Sequence, residues 1–146
     1  MIGVRKPFNK VLHAKNDPKS RQSVKTFFAE RGVTLVDHPN KYDIDLISQD
    51  GSIRVEVEHR LNWDSPDFPY EEVNVPERKA KFFEAGNTHY VILSRDYKYI
   101  GFISATEIQK FMKPEYLKES RNRFVSECEY FYKVPKLKFE FYQIET

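Results

Sequence analysis

Two short runs of alternating residues meet at a tight turn near the middle of the chain, and they restrict its fold more than any other feature. Residues 42–48 read Tyr-Asp-Ile-Asp-Leu-Ile-Ser, residues 53–59 read Ile-Arg-Val-Glu-Val-Glu-His, and the link between them holds Asp50-Gly51. Alternation with period two marks a strand with unlike faces, and Asp-Gly between two such runs marks a hairpin. The second strand then carries Ile53, Val55 and Val57 on one face and Arg54, Glu56 and Glu58 on the other. On the first strand Tyr42, Ile44 and Leu46 share a face, opposite Asp43, Asp45 and Ile47. The apolar face needs a covering layer. The acidic face needs cations, because carboxylates gathered on adjoining strands repel one another.

The flanking sequence supplies candidate layers. Residues 19–31 read as a helix with Val24, Phe27 and Phe28 on its buried stripe, and Gly32 as its stop. A short strand is expected over 33–36. Residues 62–75 hold Pro66, Pro69 and four acids, which reads as a loop crossing the sheet. Pro76 suits the first position of a helix running to about Ala85, with Gly86 ending it. Residues 88–94 look like a buried strand, with a hairpin partner over 97–103. Ser104 and Glu107 form a capping box for a helix to about Met112. Residues 114–120 read as a further helical turn or two, and the aromatic tail 129–144 as one or two strands. These elements predict a single domain over 1–146, with its core over about 19–112. The class is α/β: a central mixed β-sheet flanked by helices.

Charge is distributed unevenly. Residues 1–42 hold nine Lys or Arg against three Asp or Glu, residues 43–76 two against nine, and residues 77–146 thirteen against ten. An acidic centre between basic flanks suits a metal-dependent enzyme that acts on a polyanion. The same pattern also describes plain solvated faces. No stretch approaches the roughly 20 apolar residues of a membrane span. Lys6, Lys10 and Lys15 interrupt any apolar leader, and the lone cysteine, Cys128, has no partner in the chain. An intracellular setting is the expectation. The four histidines, His13, His38, His59 and His89, lack zinc spacing. There is no glycine-rich phosphate loop and no nucleophile elbow.

Asp45, Glu56 and Glu58 are therefore the leading candidates for chemistry. Hard divalent cations favour oxygen ligands of this kind and complete their shells with water and substrate phosphate. Asp43 competes with Asp45 for the first position, since the two share a face. An ordinary hairpin with a charged outer face is the plainer reading of the same alternation.

The run 42–47, the glycine turn and Val55-Glu56-Val57-Glu58 together resemble the PD-(D/E)xK nuclease superfamily. Restriction endonucleases and Holliday junction resolvases belong to it. The family pattern is an Asp on one hairpin strand and Glu-x-Lys about ten residues later on the next. Asp45 matches the first acid, Glu56 the second, and Glu58 stands where the lysine is usual. The order of helix, three-stranded meander, helix and strand over about 19–94 is similar too. The resemblance implies a restriction-endonuclease-like core, Mg²⁺ or Mn²⁺ as cofactor, and Asp45, Glu56, Glu58 and Asp43 as metal ligands. It implies hydrolysis of phosphodiester bonds in DNA. It also looks to the helix after the hairpin for the missing cation, with Lys79 first and Lys81 second. Arg60, Arg78 and Lys81 are the candidates to meet the nucleic-acid backbone, and Glu30 is a candidate extra ligand. Small size favours a homodimer that cuts branched DNA by shape. The rival readings are an inactive relative that binds nucleic acid or protein, an acidic docking protein, and a nuclease acting on RNA. Trp63, Phe68 and Tyr70 either stack on bases or anchor their loop.

Overall fold

A computed structural model describes residues 10–40, 42–121 and 128–144. Lys6 lies outside them, as do the side chains of His13 and Cys128.

Helix α1 spans Lys10–Ala29 and contains Pro18 in its interior, so it begins well before the expected start. Val24, Phe27 and Phe28 form its buried stripe. Gly32, at φ +83°, ends it. The Gly32 N–H donates to the Ala29 carbonyl at 3.0 Å and the Val33 N–H to Phe28 at 2.9 Å. This paired closure satisfies carbonyls that would otherwise be left open at a helix end.

Strands β1 (Leu35–Asp37), β2 (Leu46–Ser48) and β3 (Arg54–Arg60) follow as an antiparallel meander. At the β2–β3 turn Gly51 has φ +75°. The Asp50 carboxylate accepts from the Ser48 and Ser52 hydroxyls at 2.8 and 2.7 Å. With the Ser52 backbone N–H, these bonds hold the Asp50 carboxyl down at about 2, the Ser52 hydroxyl contributing most.

Strand β4 (Glu72–Pro76) occupies the end of the segment expected to be a loop. The expectation fails because the partner of β4, strand β8 (Cys128–Pro135), lies some sixty residues further along the chain. No local pattern announces such a pairing. The helix expected after Pro76 is a 3-10 helix, Glu77–Phe83. Strands β5 (Thr88–Ser94) and β6 (Tyr99–Ser104) form a hairpin, as expected. Ser104 Oγ accepts the Glu107 N–H at 3.3 Å and starts the short helix α2 (Ala105–Ile108). After a single 3-10 turn at Pro114–Tyr116, strand β7 (Leu117–Arg121) replaces the helical turns expected there, because it pairs with β8. Strand β9 (Glu140–Gln143) completes the order.

The larger sheet runs β1-β2-β3-β5-β6-β9 and the smaller β4-β8-β7. All neighbours are antiparallel except β3 and β5, so the larger sheet is mixed. Helix α1 covers one face, packing Val24, Phe27 and Phe28 against Val55, Val57, Val91 and Leu93. On the opposite face Val73, Val75 and Val134 of the smaller sheet, with Phe83, pack against Tyr90 and Ile92. Strand β5 is thus covered on both sides, which explains its almost unbroken apolar run. Trp63 and Phe68 are buried in this second layer, so they anchor their loop to the core, whereas Tyr70 is half exposed. Among the described residues no helix is long and apolar enough to cross a membrane.

Candidate active site

Strand β3 carries Val55 and Val57 toward α1, which leaves Glu56 and Glu58 on the face covered by the smaller sheet and the 3-10 helix. The parallel register sets Glu56 beside Tyr90 and Glu58 beside Ile92. Leu46 pairs with Val55, so Asp45, one residue earlier, stands level with Glu56. Strand β2 begins only at Leu46. Asp45 turns its side chain to the neighbouring strand, and Oδ2 accepts the Val57 N–H at 2.8 Å. Asp45 also lies close enough to Glu56 for its charge to act on that carboxyl.

The 3-10 helix brings a cation to these acids. Lys79 and Phe83 are its two buried residues, and Phe83 meets the Tyr90 ring edge-on at 5.3 Å. Lys79 Nζ lies 3.1 Å from Glu56 Oε2 and 3.7 Å from Glu58 Oε1. The other oxygen of Glu58 is held by Arg60 at 2.7 Å and by the Tyr90 hydroxyl, which itself accepts from Arg60 at 2.9 Å. Arg60 also donates to the Asn74 carbonyl.

Burial and these partners set the protonation states. Burial is the main force raising the Glu56 carboxyl to about 8; Asp45 adds to it and Lys79 opposes it. Burial also pushes Glu58 up, but Arg60 and Lys79 outweigh it and hold the carboxyl below its ordinary range. Lys79 is raised despite burial, because Glu58, Glu56 and Asp45 all favour its charged form. At neutral pH the cluster therefore holds an ionised Glu58 and a charged Lys79 beside a largely protonated Glu56. Two buried polar atoms of the cluster, Glu56 Oε1 and Arg60 Nε, have no hydrogen-bond partner among the described residues.

The structure thus brings Asp45, Glu56, Glu58 and Lys79 together with Arg60 at their edge, and distributes the other candidates elsewhere. Asp43 lies in the turn before β2, where it accepts the Ile44 N–H at 2.7 Å and pairs with Arg54 at 2.9 Å and His38 at 3.7 Å. Glu30 pairs with Arg31 at 3.9 Å at the end of α1, which packs on the opposite face of the sheet. Arg60 is committed to Glu58. Arg78 and Lys81 are exposed; Arg78 acts on Glu58 through its charge, and Lys81 lies over the Phe82 ring at 5.2 Å. His59 stacks on Tyr97 at 4.5 Å, and its Nε2 is 3.0 Å from the Arg95 carbonyl. Tyr90 and Asn74 were not legible as site residues, since the register that sets them beside β3 is tertiary.

Among the described residues no three His, Cys, Asp or Glu side chains form a ready-made metal-holding group. What the arrangement offers is two adjoining carboxyl groups, one with an unpartnered oxygen, and a buried ammonium in contact with them. No protein-family model matches the chain, and no curated protein matches it in sequence.

Proposed function

We propose that the chain is a divalent-metal-dependent nuclease of the PD-(D/E)xK kind that hydrolyses phosphodiester bonds in DNA. The observation that carries the reading is Lys79. Its ammonium reaches Glu56 at 3.1 Å from an element outside the hairpin, and so supplies the cation that Glu58 displaces from the usual motif position. The element order supports it as well: a helix, an antiparallel meander, then, after strand β4, a covering 3-10 helix and a strand parallel to the third.

In this reading Asp45 and Glu56 would hold Mg²⁺ or Mn²⁺, with water and substrate phosphate completing the shell. The unpartnered Glu56 Oε1 fits that role. The bound ion would supply Lewis-acid stabilisation and a water of lowered pKa. Glu56 must give up its proton to act as a ligand. Lys79 would turn its ammonium toward the attacked phosphate and offset the charge that develops there. Glu58 would stay with Arg60 and Tyr90 and hold Lys79 in place rather than bind metal. A homodimer acting on branched DNA remains the proposed form, because a two-fold assembly presents two such centres to a symmetric substrate.

A second reading, a non-catalytic binding module, draws on a different observation: Lys79 already neutralises the acids, and Glu58 is closed in by Arg60 and Tyr90. The test is incubation of the purified protein with labelled four-way junction, duplex and single-stranded DNA, with Mg²⁺ or Mn²⁺. Asp45→Ala and Lys79→Ala proteins run alongside. Metal-dependent cutting that both substitutions abolish supports the nuclease. DNA binding without cutting by the wild type favours the binding module.

A further inference from the structure

A cleft of about 420 Å³ opens beside the Glu58 end of the cluster, between the β3 carboxyl end and the smaller sheet, and Arg60, Asn62, Tyr70, Asn74 and Lys133 line it. Two observations there point independently to an anion. Arg60 spends its Nη2 on Glu58, Tyr90 and Asn74, but its buried Nε has no hydrogen-bond partner among the described residues. Lys133, half-buried on β8, donates to the neutral Asn74 Oδ1 at 2.6 Å and makes no ion pair among the described residues. A cation placed in a partly desolvated wall without a counter-charge is costly unless something negative fills the gap. Glu71 and Glu72 also line the cleft, but both are exposed, where water and salt weaken their repulsion far more than they weaken the inner cations.

We propose that this cleft is a phosphate subsite for the nucleic-acid strand, with Lys133 Nζ as its donor and the Arg60 guanidinium as a second positive charge in its wall. Its position gives the assignment its sense. Glu58 stands between Lys79 on one oxygen and Arg60 on the other, so the cleft adjoins the Asp45–Glu56–Lys79 centre on the far side of a single carboxylate. A strand with one phosphate at that centre would place a neighbouring phosphate here. Tyr70, half exposed in the lining of the cleft, would offer a ring on which a base can stack. The inference rests on the nuclease reading for the identity of the anion, and it adds Lys133 of β8 to the residues around the centre.

The test is fluorescence anisotropy of the full chain with fluorescein-labelled 20-nucleotide single-stranded and duplex DNA, in EDTA, across a salt series. Lys133→Gln is expected to weaken binding several-fold. It should also reduce the slope of log K against log salt by the share of one phosphate contact, about 0.7 for the single strand and 0.9 for the duplex. Lys133→Arg, which keeps the charge and guards against a folding artefact, should retain both. An unchanged slope in Lys133→Gln overturns the subsite, even if Asp45→Ala abolishes cutting and the nuclease stands. A Lys133-dependent slope in a protein that cuts nothing with any metal sinks the nuclease and leaves the subsite.

Discussion

Replacing Glu56 by glutamine removes a titrating carboxyl from a buried position while keeping its shape and one carbonyl acceptor. The wild-type carboxyl sits at about 8 in the folded protein against an ordinary 4.5, chiefly because burial penalises its charge. The folded state therefore binds this proton more tightly than the unfolded chain does. That contribution is fully present below about pH 4.5 and is lost as the pH rises through the folded value near 8. Carried from 4.5 to about 8, at about 1.4 kcal/mol per tenfold change in proton concentration, the cost to the wild type is on the order of several kcal/mol. The pull of Lys79 is already contained in the folded value. Urea denaturation of both proteins at pH 5, 7 and 9, without metal, is the assay. The stability of Glu56→Gln relative to wild type should climb by several kcal/mol from pH 5 to pH 9 and then level off. A difference that stays flat across the series would refute the argument that Glu56 is held protonated by burial beside Asp45. On the metal-dependent reading proposed above, adding Mn²⁺ at pH 9 should narrow the gap, because a cation held by Asp45 and Glu56 would compensate the charge that the bare site cannot.

Four further outcomes follow from the same geometry. Lys79→Met leaves Glu58 and Glu56 without their shared ammonium, and it should cost about 3 to 5 kcal/mol by denaturant titration, as breaking buried pairs does. Tyr90→Phe removes the hydroxyl between Glu58 and Arg60, with an expected loss of about 1 to 3 kcal/mol in the same titration. Phe27→Ala empties a position packed among Phe28, Phe102 and Tyr142, and unfolding should become easier by about 3 to 5 kcal/mol. Asp50→Ala removes a turn carboxylate held at about 2 by the Ser48 and Ser52 bonds. A folded value below the ordinary one stabilises above about pH 3.8 and is lost as pH falls through 2. The difference in melting temperature between Asp50→Ala and wild type should therefore shrink on acidification over that range.

Much of the centre could be read from local pattern because the physics that builds it is local. Alternation around Asp50-Gly51 places Val55 and Val57 opposite Glu56 and Glu58 whatever else the chain does. The apolar stripe of Val24, Phe27 and Phe28 likewise identifies a covering layer before its partner is known. Residues 42–45 departed from their pattern: the alternation continues, yet β2 begins only at Leu46. Asp43 then pairs with Arg54 instead of sharing a strand face with Asp45. Side-chain hydrogen bonding to nearby backbone, as by Asp43 to Ile44, competes with the sheet ladder at such positions.

The sequence by itself determined which residues are acidic, which faces are apolar and where the hairpin turns, since each depends on neighbours a few positions apart. Only the tertiary structure decided which cation meets which acid. Among Arg78, Lys79 and Lys81, one turn of a 3-10 helix chooses Lys79, and Phe83 packing on Tyr90 sets that choice. Arg60, apparently free to face solvent, is drawn in by Glu58 and Tyr90. Strand β4 exists because β8 returns to pair with it, and that pairing buries the acidic face, raises Glu56 and leaves Lys133 beside Arg60. Desolvation depends on everything that comes to lie over a group, and what lies over Glu56 arrives from segments that no local pattern connects to it.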